Sequence, residues 1–113
     1  MKLPRELGPG LLESVYEITL AKLLVQSGIP VQRQVRVPID VLGLHFEDAF
    51  RADLVVGAKV IVEIKSIETL KNVHKKQLLT YLRLTGMKLG LLLNFGQALL
   101  KDGIVRIVNG LPD

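Results

Sequence analysis

The spacing of apolar residues along the chain changes between the period of a helix and the period of a strand. Two segments repeat apolar residues every three to four positions, whereas the segments between them tend to alternate apolar and polar residues. Gly28, Pro30 and Gly86 lie where the two helices should end. The predicted elements are a helix over about 11–27, a strand over 31–37 that Pro38 breaks or places at a sheet edge, a short hairpin over 39–46 that turns at Leu42 and Gly43, strands over 50–56 and 60–65, a helix over about 70–84, a strand over 89–95, a turn at 101–103 and a strand over 104–108.

The order of these elements predicts a single α/β (α+β) domain over residues 1–113, in the order αβββαββ. Residues 89–95 form a nearly continuous apolar run, which is typical of a central strand covered on both faces. The strand over 60–65, the helix after it and this apolar strand together have the length of a right-handed parallel crossover. We therefore expect a mixed sheet flanked by helices.

The composition excludes several classes of site. Of the 113 residues, 49% are hydrophobic and 23% are charged, as expected for one globular domain without a predicted signal peptide or membrane span. The absence of cysteine excludes disulfides, thiolate metal centres and cysteine nucleophiles, and it favours a cytoplasmic location. Two histidines cannot supply a three-histidine site, so a metal ion would depend on carboxylates, which favours Mg2+, Mn2+ or Ca2+.

The charge balance permits a polyanionic partner. Fifteen Lys and Arg residues against eleven Asp and Glu residues give a formal net charge of +4. Aromatic residues make up only 4% of the chain, which argues against a platform for base stacking. If nucleic acid binds, we expect the protein to hold it by its phosphates. The mean hydropathy of +0.36 also suggests an apolar surface that could pair two copies in a homodimer.

Two acidic residues on neighbouring strands are expected to face each other. Alternation puts Arg51 and Asp53 on one face of their strand, and Glu63 and Lys65 on one face of the next. A three-residue turn at 57–59 then sets Asp53 opposite Glu63 and Arg51 opposite Lys65. Directly opposed residues have Cβ atoms about 4.5–5.5 Å apart, so the carboxylates repel each other and need a compensating charge. The other face of the first strand is expected to carry Phe50, Ala52, Leu54 and Val56.

A divalent cation between the two carboxylates would supply that charge. Lys65 would add a second positive charge on the same face of the sheet. Such a group suits hydrolysis of a phosphodiester bond, because the metal activates water and the lysine positions the water or stabilises the transition state. The alternative is a surface ladder, in which Asp53 and Glu63 are solvated or pair with Arg51 and Lys65.

The pattern from Asp53 to Lys65 resembles a known nuclease signature. Asp53, nine intervening residues and then Glu63-Ile64-Lys65 look like the D-Xn-(D/E)-X-K motif of the PD-(D/E)XK nuclease superfamily. Residues 10–16, Gly-Leu-Leu-Glu-Ser-Val-Tyr, resemble the name-giving motif of its GxxExxY branch. Further similarities are Leu7-Gly8-Pro9-Gly10, Arg51-Ala52-Asp53, His74 with Gln77 and Tyr81-Leu82, and Lys101-Asp102-Gly103-Ile104 with residues 106–110.

The resemblance implies a restriction-endonuclease-like core and a metal-dependent nuclease acting on nucleic acid, with DNA as the expected polymer. It implies Mg2+ or Mn2+ at Asp53 and Glu63, helped by the backbone carbonyl of Ile64, together with a catalytic role for Lys65. It also implies that Glu13 reaches the metal or orients its water. As a structural alternative, Glu13 would only complement the dipole of the first helix.

A polar stripe on the second helix adds further candidates. His74, Gln77 and Tyr81 recur at helical spacing, so they share one side of that helix. Gln77 is the candidate to orient the attacking water, and the others to contact phosphate. The alternative is a half-buried structural stripe beside a solvated row of lysines. The candidate nucleic-acid-binding residues are Arg51, His74, Lys75, Lys76 and Tyr81.

Two features depart from the family pattern. Ala52 occupies the position of the proline in the superfamily name, and only six residues precede Leu7, where the family usually has a further helix. The missing helix would expose apolar surface and favour a dimer. Besides a nuclease, two functions stay open on the same fold: a catalytically inactive module that binds nucleic acid, and a dimeric module for protein interaction.

Overall fold

The computed structural model describes residues 7–96 and 103–110, so the predicted turn at 101–103 lies outside the described residues except for Gly103. The five strands form one sheet in the order β1-β2-β3-β4-β5. Neighbouring strands are antiparallel except β3 and β4, which are parallel and joined by α2. The predicted αβββαββ order and mixed sheet are therefore confirmed. The elements are α1 (Glu13–Gln26), β1 (Val31–Val41), β2 (Leu44–Val56), β3 (Val60–Lys65), α2 (Asn72–Thr85), β4 (Leu89–Asn94) and β5 (Ile104–Val108).

The hairpin of β1 and β2 is longer than the sequence predicts. The turn at Leu42 and Gly43 is correct, and both residues have the positive φ that a tight hairpin turn requires. A separate short hairpin is wrong, because the strands continue through it to lengths of 11 and 13 residues. Pro38 lies within β1, where the pairing with β2 shifts its register. Since β1 is an edge strand, a residue without an amide hydrogen is tolerated there.

The sheet separates two apolar clusters, one under each helix. Strands β3 and β4 contribute to both clusters, so both strands are covered on their two faces, as predicted for β4. Gly90 of β4 allows α2 to pack closely, because an added Cβ would lie 2.9 Å from the Leu78 side chain. The cluster under α1 contains Tyr16, Leu20, Ala21, Leu54, Val62, Ile64, Leu93 and Phe95. The cluster under α2 contains Ala52, Ile61, Leu78, Leu82 and Leu92.

Strand β2 changes the face that it presents to each helix. Ala52 packs in the cluster under α2, whereas Leu54 packs in the cluster under α1. The prediction that these two residues share a face is therefore wrong, and the change occurs at Asp53 between them. Arg51, the neighbour of Ala52, consequently points away from α2 rather than to the side predicted for it. At the same level of the paired strand β1, Gln34 has a left-handed backbone with φ 51°.

Helix α1 buries much of the face that its apolar spacing predicts, since Tyr16 and Leu20 are buried, but it also buries a charged residue. Leu12, the apolar residue directly before the helix, is 76% exposed, whereas Glu17 is only 4% exposed. Glu17 forms an ion pair with Arg33 of β1, which compensates its buried charge. The buried residues are Tyr16, Glu17, Leu20 and Ala21. We call the exposed apolar residues Leu12, Val15, Ile18 and Val25 the α1 stripe.

Candidate active site

Asp53 and Glu63 face each other between β2 and β3, as the three-residue turn predicts. The strands pair from Val56 and Val60 at the turn to Leu54 and Val62, and Asp53 and Glu63 are the next residues along the two strands. Asp53 Oδ2 accepts a hydrogen bond of 2.7 Å from the backbone N–H of Ile64. The Asp53 and Glu63 side chains are also hydrogen-bonded to each other. The two carboxyl groups therefore form one interacting pair.

Glu63 is the buried member of this pair. Its side chain lies in the sheet interior with 7% exposure, and its Oε1 has no hydrogen-bonding partner among the residues that the structure describes. Burial, together with the negative charge of Asp53, raises the pKa of Glu63 to about 9, while the Lys65 charge acts in the opposite direction. Without a cation, Glu63 is therefore protonated at neutral pH.

Lys65 and Glu13 lie at the carboxyl end of β3. The Lys65 ammonium is near enough to Glu63 to affect its pKa, so it belongs to the same electrostatic group. Glu13, the first residue of α1, accepts a hydrogen bond of 3.1 Å from the backbone N–H of Ser66. The loop before α1 is held beside it, because the Tyr16 hydroxyl donates to the Gly8 carbonyl at 2.6 Å. The fold thus brings Glu13 to the residue that follows Lys65.

Tyr81 places α2 beside the two carboxyl groups. Its ring stacks on Phe50 with 3.8 Å between the ring centroids. Burial and the negative charges of Glu63 and Asp53 raise the pKa of Tyr81, whereas a hydrogen bond from Gln77 lowers it. The structure therefore brings Tyr81 and Gln77 together at the site, on the α2 side of the sheet.

His74, the remaining residue of the predicted stripe, makes a structural contact at the start of α2. His74 Nδ1 accepts the backbone N–H of Lys71 at 3.1 Å, so it caps the amino end of α2. Lys75 and Lys76 follow on the first turn of α2, with Lys76 exposed. Arg51 is exposed on β2, and the change of face at Asp53 separates it from the group formed by Asp53 and Glu63.

Asn94 is a supporting residue that the sequence pattern hides within an apolar strand. It is fully buried. Its Oδ1 accepts the backbone N–H groups of Ile67 and Gly96, each at 3.0 Å, and its Nδ2 donates to the Ile67 carbonyl at 2.8 Å. Lys65 pairs with Asn94 across the parallel strands. Asn94 therefore fixes the segment that follows Lys65. A polar residue inside an apolar run was the signal available in the sequence.

The donor set fits a hard divalent cation. Within residues 7–96 and 103–110, no three side chains of His, Asp or Glu gather as ligands of one metal ion. Mg2+ is nevertheless usually held by one or two carboxylates and keeps several waters. The unpartnered Oε1 of Glu63 is the buried oxygen that such an ion would satisfy, and Asp53 would supply the second carboxylate.

A family profile of nucleases matches residues 1–107 of the chain. The chain belongs to the PD-(D/E)XK nuclease superfamily. The matched range includes Asp53, Glu63 and Lys65, the residues that the sequence pattern assigns to the superfamily motif. The restriction-endonuclease-like architecture agrees with this assignment, since the motif residues meet on two adjacent strands followed by α2.

Among solved structures, the superfamily member described here is similar to the crystal structure of SSO0001. The TM-score is 0.59 and the sequence identity 25%, over 88% of this chain and 52% of that one. The chain therefore spans about half the length of SSO0001. No curated protein sequence matches it. Within the described part of this nuclease-superfamily chain, no helix is both long and apolar enough to cross a membrane.

Proposed function

We propose that this chain is a metal-dependent nuclease of the GxxExxY branch, which hydrolyses phosphodiester bonds of DNA with Mg2+ or Mn2+ as cofactor. The observation that carries the proposal is Glu63, a buried carboxyl group with an unpartnered oxygen, hydrogen-bonded to Asp53 and electrostatically coupled to Lys65. Tyr16 supports the assignment to the GxxExxY branch. Its hydroxyl also accepts a hydrogen bond of 3.0 Å from the backbone N–H of Leu11, which orders the segment that leads to Glu13.

Each residue has a defined task in this proposal. Asp53 and Glu63 would hold the cation, with the Ile64 carbonyl as a further oxygen, and Glu13, which is held at Ser66, would direct a water. When bound, a divalent ion polarises the phosphoryl oxygen and lowers the pKa of its water. Lys65 stabilises the negative charge that grows on the phosphate during attack.

The residues of α2 bind the polymer beside this group. Gln77 orients the attacking water and shares a hydrogen bond with Tyr81, whose hydroxyl contacts a phosphate. Lys75 and Lys76 attract further phosphates of the backbone, and His74, which caps the same helix, lies next to them. Arg51 contributes from β2 to binding rather than to the reaction.

The test is cleavage of supercoiled plasmid and of single-stranded DNA with Mg2+, with Mn2+ or with a chelator. We expect metal-dependent cleavage, reduced at least about 100-fold by Asp53→Asn and by Lys65→Ala. Matched controls are Asp48→Asn, at an exposed aspartate that pairs with Arg36, and Lys59→Ala, at the other end of β3. An absence of metal-dependent cleavage, or full activity in both site variants, would reject the proposal.

The same experiment separates the alternative functions on this fold. Retention of DNA without cleavage under any metal would identify a catalytically inactive binding module. Absence of both would favour a protein-interaction module.

We also propose that the protein forms a homodimer. The observation that supports the dimer is the exposed α1 stripe, which a second copy would cover. Ile18→Lys should lower the mass measured by light scattering, whereas Val73→Lys, at an exposed valine of α2, should not. We propose that the protein acts in the cytoplasm, in keeping with its lack of cysteine.

A further inference from the structure

A buried carboxylate on α1 holds two consecutive residues of β1. Glu17 Oε2 accepts a hydrogen bond of 3.0 Å from Arg33 Nε and forms an ion pair with Arg33 Nη2 at 2.8 Å. Its Oε1 accepts a hydrogen bond of 2.6 Å from Gln34 Nε2. Both oxygens of Glu17 are therefore engaged, and they engage the strand that pairs with β2 rather than the carboxyl pair itself.

Gln34 has a backbone conformation that needs support. Its φ of 51° lies in the left-handed region, which residues other than glycine rarely occupy. Gln34 lies opposite Asp53, because the residues before and after it on β1 pair with those after and before Asp53 on β2. The face of β1 changes here too, since Val31 packs under α1 and Val35 packs under α2.

The change of face at this level determines where Asp53 points. In a regular strand, Asp53 would lie on the face opposite to Ala52. Because both strands change face here, Asp53 instead reaches the Ile64 amide at 2.7 Å and the Glu63 side chain. Glu17 of α1 is hydrogen-bonded to Gln34, and Gln34 lies opposite Asp53. Gln34 and Asp53 thus connect α1 to the site.

We propose that Glu17 is a positioning residue for Asp53. By holding the Gln34 side chain, Glu17 stabilises the left-handed backbone of Gln34 and so keeps the Asp53 carboxylate on the Ile64 amide and beside Glu63. Only the consequence for catalysis rests on the proposed function; the placement of Asp53 can be measured without it.

The direct test is hydrogen exchange of the Ile64 amide, measured by NMR relative to the other β3 amides. Asp53→Ala removes the acceptor and gives the reference for complete loss. We expect Glu17→Met to speed the relative exchange of Ile64 about tenfold, which corresponds to losing one hydrogen bond. Adding Gln34→Gly should restore slow exchange, because glycine adopts positive φ without help from Glu17.

A second readout is the affinity for Mn2+, measured by calorimetry on the same variants. We expect Glu17→Met to weaken binding about tenfold, as for other residues that orient a metal ligand, and Gln34→Gly to restore it.

If Glu17→Met does not fold, Gln34→Val keeps the ion pair of Glu17 and Arg33 but disfavours positive φ. It should speed Ile64 exchange in the same way.

Two outcomes overturn the inference. One is unchanged Ile64 exchange in the folded variants Glu17→Met or Gln34→Val. The other is a double variant Glu17→Met/Gln34→Gly that stays as impaired as Glu17→Met, which would mean that Glu17 acts through general stability. A wild-type protein that never cleaves DNA would reject the proposed function instead, and the Ile64 result would still decide the role of Glu17.

Discussion

At the scale of single residues, Glu63 sets how the site behaves without a cation. Its raised pKa means that the folded protein keeps a proton there which the unfolded chain releases near the ordinary value of 4.5. Between these two pKa values the folded state binds more protons than the unfolded state. Stability contributed by protonated Glu63 is thus full at low pH and is lost as the pH rises.

This difference predicts a pH-dependent response to metal. Between about pH 5 and pH 9, the melting temperature of the cation-free protein should fall more steeply than that of Glu63→Gln, which carries no titratable group there. Mn2+ should raise the melting temperature of the wild type more at pH 8 than at pH 5, since it binds the deprotonated carboxylate. Thermal melts with and without MnCl2 check this. An equal Mn2+ effect in Glu63→Gln would contradict it.

Asn94 makes a second prediction at this scale. Asn94→Ala should lower the free energy of unfolding by about 2 kcal/mol, because it leaves the half-buried backbone N–H and C=O groups of Ile67 without their partner. Asn109→Ala is the matched control, since Asn109 Nδ2 only donates to two carbonyls, which tolerate a lost partner better. Urea unfolding measures both. A loss for Asn94→Ala no larger than for Asn109→Ala would count against this account.

At the scale of elements, local patterns decided what the sequence could predict. The turn at 57–59 fixes the register of β2 and β3, so the opposition of Asp53 and Glu63 follows from neighbouring residues alone. The change of face in β2 does not, because it coincides with a left-handed residue, Gln34, in another strand. The burial of Glu17 on α1 does not follow either, because its partners Arg33 and Gln34 lie in β1.

The tip of the long hairpin carries a histidine between two carboxylates. His45 Nδ1 lies 2.8 Å from Asp40 Oδ1, across the strand pair, and its Nε2 lies 2.6 Å from Glu47 Oε2. The hydrogen bond to Glu47, followed by that to Asp40, raises the pKa of His45 above 6.5. The hairpin gains stability that is full below the unfolded pKa and lost as the pH rises through the folded one.

We therefore expect an NMR titration of the His45 ring to give a pKa above 6.5, with amide protection at the hairpin tip decreasing through the same pH range. Asp40→Asn combined with Glu47→Gln should return the pKa toward its ordinary value. Asp48→Asn should leave it unchanged, because Asp48 pairs with Arg36 instead. A His45 pKa that ignores the first pair of substitutions would exclude these contacts in solution.

At the scale of the whole molecule, charge is distributed unevenly over the fold. The outer part of the β1–β2 hairpin carries the acidic residues Asp40, Glu47 and Asp48. The amino end of α2, beside the candidate site, carries Lys71, Lys75 and Lys76. A polyanion should therefore approach along α2 and avoid the hairpin, which would place the nucleic acid of the proposed function over the carboxyl pair.

This orientation predicts which lysines determine the salt dependence of DNA binding. The double variant Lys75→Ala/Lys76→Ala should reduce the slope of log affinity against log salt by about 0.9 for each phosphate contact that is lost on duplex DNA. The matched control is Lys22→Ala/Lys59→Ala, which removes the same charge from α1 and from the β2–β3 turn, at the opposite end of β3 from Lys65. The control should lower affinity slightly through net charge while leaving the slope nearly unchanged.

Fluorescence anisotropy at several salt concentrations measures both double variants, in the presence of a chelator so that cleavage does not interfere. Equal changes of slope in the two double variants would mean that DNA is held by diffuse positive charge, and that α2 does not direct it to Asp53 and Glu63.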